Sequence, residues 1–271
     1  MHSQPLVSFE LFGNEMSITL YGIFLAVGLL ACLAVYKIYT DYRKIDVDVQ
    51  DFGFITAILS IAIGFIFAMC FQAVYNFIES GVWEFGAITV MGGLIGGAVT
   101  FLLIYFVGGK YYFRGKKKGI HLKEFNKILQ VAPACVAVAH AFGRLGCLMA
   151  GCCHGKPVSG PSAGGVLMNG SYYIPTQLYE SIFLFILFAV LSVMYYKRMN
   201  FTHVVYLIAY GIWRFIIEFF RGDHVGALIP GISPSQFQSI VFILLGVAVF
   251  VYMKKKKIPF MLPKNIDEKE E

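Results

Sequence analysis

Phe52-Gly-Phe-Ile-Thr-Ala-Ile-Leu-Ser-Ile-Ala-Ile-Gly-Phe-Ile-Phe-Ala-Met-Cys-Phe-Gln-Ala-Val-Tyr75 carries no charged side chain over 24 positions. At about 1.5 Å per residue, a helix of that length spans about 36 Å, more than the roughly 30 Å hydrocarbon layer of a bilayer. Inside that layer a helix is the single segment that satisfies its own backbone hydrogen bonds, so the stretch reads as a membrane-spanning helix. Six more apolar windows read the same way on either side, at 18–39, 87–107, 128–142, 178–196, 204–220 and 237–253. The composition agrees, with 58% hydrophobic and 14% charged residues. The fold class is all-α, a polytopic membrane protein with seven transmembrane helices. The windows 128–142 and 204–220 are short and read as tilted or broken. The first window has no basic residues before it and no small-residue cleavage site after it, so it reads as a retained helix and not a cleaved signal peptide.

Orientation follows from the basic residues, which are retained on the cytoplasmic side. Of the 22 Lys and Arg, four (Arg144, Lys156, Arg214 and Arg221) lie at one set of helix ends, and the other eighteen lie at the opposite set, including Lys116–Lys118 and Lys254–Lys257. The amino terminus is therefore expected outside and the carboxyl terminus in the cytoplasm. The net charge of +6 is a topology signal next to anionic lipid and not a mark of nucleic-acid binding. Residues 1–258 read as one membrane domain with an outer loop at 143–177, and 259–271 as a charged, disordered cytoplasmic tail. The Gly- and Ser-rich part of the loop, 156–173, reads as a lid over the outer side.

This topology puts the unusual polar groups on one side. Gly143-Arg-Leu-Gly-Cys-Leu-Met-Ala-Gly-Cys-Cys-His-Gly155 sets a guanidinium, three thiols and an imidazole where an apolar window stops. Tyr210-Gly-Ile-Trp-Arg214-Phe-Ile-Ile-Glu218-Phe-Phe-Arg221 puts Arg214, Glu218 and Arg221 on one helical face, at i, i+4 and i+7. A charge at the bilayer centre costs about 2.5 to 3.5 kcal/mol on insertion scales, so these groups should face the bundle or an aqueous cavity. A structural Arg214–Glu218 pair with a snorkelling Arg221 explains that helix alone; Arg144 at the same height favours a shared site for an anion. In Ile174-Pro-Thr-Gln-Leu-Tyr-Glu180, Pro175 and Thr176 suit a helix start, which leaves Gln177, Tyr179 and Glu180 unexplained. Met91-Gly-Gly-Leu-Ile-Gly-Gly97 suits close helix packing or admission of a lipid. Tyr21-Gly22 begins the first helix at the interface.

In this order and spacing, the segments resemble the prolipoprotein diacylglyceryl transferase family over most of the chain. The resemblance rests on Tyr21-Gly22, Gly92-Gly93-Leu94-Ile95-Gly96, Gly143-Arg144-Leu145-Gly146, Pro175–Glu180, and Tyr210-Gly211 with Arg214, Glu218 and Arg221. It implies a seven-helix enzyme of the bacterial cytoplasmic membrane that takes the diacylglyceryl group of phosphatidylglycerol. The group passes to the lipobox cysteine thiol of a prolipoprotein signal peptide, at the outer face, with release of glycerol phosphate. It further implies Arg144 and Arg214 as the essential arginines, since a forked, permanently charged donor suits departing phosphate oxygens. Tyr21, Gly92, Gly93, Gly143, Gly146, Gln177, Tyr179, Glu180 and Arg221 fall to substrate binding. No cofactor, metal or nucleic acid is expected.

The chain departs from the family pattern in three places. Met91 stands where the family usually has a histidine proposed to assist thiol deprotonation. Gly146-Cys147-Leu148-Met149-Ala150-Gly151-Cys152 replaces a segment with two amides and an acid. Gly64-Phe-Ile-Phe-Ala-Met69 lacks a common arginine. A substitute base is therefore sought among His154, His140, Glu180 and Glu218. His154 leads, because an imidazole titrates near neutrality. Cys147, Cys152 and Cys153 admit three readings: a disulfide from Cys147 to Cys152 or Cys153, a nucleophile activated by Arg144, or a metal site. The adjacent pair and the lack of a second dyad weigh against zinc. The alternative to the transferase is a divergent paralogue acting as a membrane thiol-redox or metal-binding protein, or a transferase with another acceptor. A transporter is disfavoured, since the charges cluster near one surface and no repeat of broken helices is visible.

Overall fold

The computed structural model of the protein describes residues 6–11, 14–83, 90–168, 170–222 and 232–262. The start of the 87–107 window and the tail from 263 onward lie outside these residues. In chain order the elements are β1 (Val7–Leu11), β2 (Asn14–Ile18), α1 (Leu20–Tyr42), α2 (Val47–Ser80), α3 (Val90–Leu103), α4 (Gly109–Tyr112), α5 (Ile120–Ala150), β3 (Val166–Met168), β4 (Ser171–Tyr173), α6 (Thr176–Tyr196), α7 (Thr202–Ile217) and α8 (Pro234–Lys255). A π-helical turn, Ile104–Gly108, joins α3 to α4 into one continuous span. Among the described residues, seven helical segments are long and apolar enough to cross a membrane, and each overlaps one of the seven windows read from the sequence.

Local chemistry sets several ends. Asp46 caps α2 by accepting from the Asp48 N–H at 3.0 Å, and Gly81 closes it with φ of 74°, a left-handed turn that glycine adopts without steric cost. Ser233 and Gln236 form a capping box at the start of α8, with Pro234 in its first turn. The largest difference from the sequence reading is α5, which continues through Pro133 and past Phe142 to Ala150. Gly143 and Arg144 looked like a stop because a charge ends an apolar run. The helix instead carries Arg144 on a buried face, where a partner carboxylate compensates it.

The chain divides into two compact units, residues 40–128 and residues 1–39 with 129–271. In the first, α2 packs on α3 through glycines: a Cβ on Gly64 would lie 2.9 Å from the Gly93 carbonyl and 3.1 Å from the Gly97 Cα. Such bare backbone lets apolar helices meet closely where lipid gives no hydrophobic drive. Tyr105, fully buried, donates its hydroxyl to the His121 carbonyl at 2.8 Å within an aromatic cluster.

The second unit has a core of Tyr39, Val131, Ala134, Ala137, Ala141, Leu184, Leu187, Leu191, Met194 and Tyr195. Tyr195 stacks on Tyr39 at 4.6 Å and donates to its carbonyl at 2.8 Å. Ser181 donates to the Ala141 carbonyl at 3.0 Å, which fixes α6 on α5 one turn from Arg144. Gly211 on α7 faces α8 so closely that a Cβ would lie 3.0 Å from the Ser239 carbonyl. The segment read as a lid contains the antiparallel β3–β4 hairpin, and Gly155 and Lys156 tie its base to Ile174 and Phe220.

Candidate active site

The polar centre lies within the second unit. Glu180, 1% exposed on the first turns of α6, meets Arg144 Nη2 from α5 at 2.5 Å and Arg214 Nη1 from α7 at 4.0 Å. Its other oxygen accepts the Tyr210 hydroxyl at 3.1 Å and lies 3.8 Å from His140 Nε2. Arg214 also reaches Glu218 at 3.0 Å, and its Nη2 donates to Ser235 at 2.7 Å. Arg221 Nε stands 3.7 Å from the same Glu218 oxygen, while Ser233 donates to the other at 2.9 Å.

Among the described residues, three guanidinium groups thus face two carboxylates. Arg144 Nε and Arg214 Nη1 are buried without a hydrogen bond among the described residues. An unmet buried donor costs about 1 to 3 kcal/mol, more when charged, and an anionic oxygen placed there recovers it. The arrangement is therefore chemically suited to a phosphate group.

Beside it lies the cysteine loop. Cys147 sits on the last turn of α5, three residues after Arg144 and so on the same helical face. The chain then turns through Gly151, φ 68°, and Cys153, φ 57°. Left-handed backbone is routine for glycine and costs a residue with a Cβ, so Cys153 is held there by its surroundings. Thr176 donates to the Cys153 carbonyl at 3.2 Å, Gln177 donates to the Cys152 carbonyl, and both side chains are fully buried. Thr176 therefore does not cap its helix, as the sequence suggested; Pro175 holds that position. The Sγ atoms of Cys147, Cys152 and Cys153 lie within 4.8 Å of one another, and all three thiols are unpaired. Hydrogen bonding from Cys147 and Cys152, with the charges of Arg144 and Arg221, pulls the Cys153 thiol well below its ordinary range.

Other residues singled out from the sequence fall as follows. Tyr21 packs on Gly146, where a Cβ would lie 3.1 Å from its ring and 3.2 Å from its carbonyl. A Cβ on Gly143 would meet nothing within 4 Å, so open space adjoins Arg144 there. His154 stacks on Tyr173 at 3.8 Å, with Nδ1 3.1 Å from the Gly155 carbonyl. Tyr179 is 40% exposed on α6, and a Cβ on Gly164 would lie 3.9 Å from its hydroxyl. Gly92 and Gly93 belong to the unit 40–128, where α2 accounts for Gly93 by packing; the Met91 side chain lies outside the described residues. Ser233 and Ser235 were missed. The Ser-Pro-Ser-Gln pattern at 233–236 signals a helix start, but nothing in it points to Glu218 and Arg214.

Known proteins resemble this chain over most of its length. The family model for prolipoprotein diacylglyceryl transferase matches residues 7–252. A protein of Clostridium tetani is 33% identical over 261 residues, covering 90% of this chain and 96% of its own. One from Staphylococcus xylosus is 31% identical over 92% of this chain and 90% of its own, and one from Streptococcus sanguinis 30% identical over 91% and 95%. All three carry the name phosphatidylglycerol–prolipoprotein diacylglyceryl transferase.

Proposed function

The chain belongs to the prolipoprotein diacylglyceryl transferase family, and from that premise we propose that it transfers the diacylglyceryl group of phosphatidylglycerol to the lipobox cysteine of a prolipoprotein signal peptide. It is a transferase and a multi-pass protein of the bacterial cytoplasmic membrane. The non-transferase alternative, a thiol-redox or metal-binding paralogue, is not favoured by relatives that share the transferase name across most of their length.

One observation carries the assignment of roles: Arg144 and Arg214, from different helices, converge on the buried carboxylate of Glu180, while Arg144 Nε and Arg214 Nη1 make no hydrogen bond among the described residues. In the reaction the acceptor sulfur forms a bond to the glyceryl carbon while the carbon–oxygen bond to phosphate breaks. Glycerol phosphate leaves with the electron pair, and its growing charge is met by Arg144 and Arg214. Arg221, tied to the loop by the Gly155–Arg221 bridge, adds positive potential at the rim. Glu180 and Glu218 hold the arginines in place and keep three like charges from repelling one another. Tyr21, Gly143 and Gly146 border the approach to Arg144, and Gln177 fixes the loop that follows it. By the distribution of basic residues, the amino terminus and this site face outward and the carboxyl terminus faces the cytoplasm.

The test is transfer from labelled phosphatidylglycerol to a synthetic lipobox peptide by the purified protein in detergent, read by mass spectrometry. A diacylglyceryl mass gain is expected. Arg144→Ala or Arg214→Ala should abolish it; full transfer by either variant overturns the assignment.

A further inference from the structure

We propose that Cys147, Cys152 and Cys153 form a three-thiolate site for one thiophilic divalent cation, of the zinc class, whose open fourth position binds and activates the acceptor thiol. The inference rests on the transferase reading and adds to it the source of the nucleophile.

Three donors, not two, converge within 4.8 Å of one another. A disulfide needs one pair at about 2.05 Å and makes no use of a third sulfur. A tetrahedral ion with sulfur ligands at about 2.3 Å sets those ligands about 3.8 Å apart, a closure of at most about one ångström from the arrangement present. The adjacency of Cys152 and Cys153, awkward for two ligands in extended or helical backbone, is resolved by the left-handed φ of 57° at Cys153, which turns neighbouring side chains toward one point. That conformation is costly for a residue with a Cβ and is fixed by the fully buried Thr176 and Gln177 on the two loop carbonyls. The site is therefore built from outside the loop, as ligand positions usually are.

Charge and position agree. Three thiolates around a divalent cation leave one net negative charge, and the Arg144 guanidinium stands three residues from Cys147 on the same helical face. His154 does not join the three sulfurs, since its ring stacks on Tyr173. Three protein ligands with an open fourth position is the pattern of a reactive centre; a purely structural zinc closes its shell with four.

Coordination supplies what the transfer needs. The acceptor thiol binds at the open position as thiolate and releases its proton to solvent, because a thiol on such an ion is deprotonated outright. The sulfur lone pair then becomes the bond to the glyceryl carbon, the carbon–oxygen bond breaks, and glycerol phosphate leaves toward Arg144 with the electron pair of that broken bond. The resulting thioether is a weaker ligand and departs. The metal changes neither oxidation state nor protein ligands. Direct attack by one of these cysteines on the lipid is disfavoured on the same chemistry: it would leave the enzyme as a stable thioether with no leaving group.

The test uses the full-length protein in detergent, stripped with a chelator under reducing conditions and reloaded with Zn²⁺ or Co²⁺. One ion per chain is expected by elemental mass spectrometry, with a thiolate-to-cobalt charge-transfer band that weakens in Cys147→Ser, Cys152→Ser and Cys153→Ser. A lipobox peptide should shift the band and its Cys→Ser version should not. The stripped protein should lose about a hundredfold in kcat, restored by Zn²⁺, with the KM for phosphatidylglycerol within about twofold. Stripping the unaltered protein removes any dependence on whether the variants fold. Full transfer by metal-free protein, or no cobalt band, overturns the proposal and leaves the transferase standing. A bound ion with a peptide-sensitive band, but no transfer under any loading, upholds the site and overturns the transferase reading instead.

Discussion

Glu180 sits with 1% exposure between Arg144 and Arg214, and this single carboxylate decides the sign of several substitutions. Removing one partner of a buried ion pair leaves an uncompensated charge and costs about 3 to 5 kcal/mol. Glu180→Gln should therefore lower the unfolding midpoint in detergent sharply and abolish transfer as well. Arg144→Lys retains a charge beside Glu180 but loses the planar fork, so the fold should survive while transfer falls at least about tenfold. An Arg144→Lys enzyme of full rate would mean that charge alone suffices at the phosphate. Gly143 and Gly146 should respond oppositely to alanine. The space at Gly143 is open, and alanine gains about 0.8 to 1.0 kcal/mol of helix propensity. At Gly146 the added Cβ meets the Tyr21 ring and carbonyl, and the loss outweighs propensity. Thermal unfolding of the pair reads the difference directly, and a loss of transfer in a stabilised Gly143→Ala places lipid in that space.

At the level of elements, helix ends position the site. α7 stops at Ile217 and passes through a 3-10 turn, Glu218–Phe220, which brings Arg221 back to Glu218. The start of α8 delivers Ser233 to the same carboxylate while its hydroxyl also accepts from the Gln236 N–H at 3.2 Å. Ser233→Ala should cost about 1 kcal/mol through the lost cap. Ser233→Asp keeps the cap yet sets a second carboxylate against Glu218, so it should be the more destabilising of the two in the same denaturation assay. If Asp proves the milder change, capping outweighs the Glu218 contact. Gly155 joins the hairpin base to Arg221, and a Cβ there would fall 2.6 Å from the Phe220 carbonyl and 2.8 Å from the Ile174 side chain. Gly155→Ala should break this bridge and reduce transfer, with the loss appearing in kcat as Arg221 and the cysteine loop shift.

At the scale of the whole molecule, the distribution of Lys and Arg predicts an outward site and a cytoplasmic carboxyl terminus. A fluorescent protein fused after residue 271 should glow, and alkaline phosphatase inserted within 156–173 should be active; the reverse pattern overturns the orientation. All seven spans were legible in the sequence, because a bilayer demands long apolar runs and each run declares itself without reference to its neighbours. Arg214 and Glu218 were legible too, since a charge in such a run is costly enough to need a reason, and Arg144 and Glu180 stood out near the ends of neighbouring runs. The end of α5 was not, because a guanidinium ends an apolar window whether it faces water or a buried carboxylate. The pairing of Glu180 with both arginines, the approach of Ser233 to Glu218 and the convergence of three thiols join residues on separate helices or on either side of a left-handed turn. The length of the apolar runs and the charges at and within them are enough to read off the membrane class, the number of spans and the residue types of the candidate site. Tertiary structure alone decided which charges neutralise one another and which donors stay unpaired, because those depend on distances of a few ångströms between segments whose spacing along the chain carries no such information.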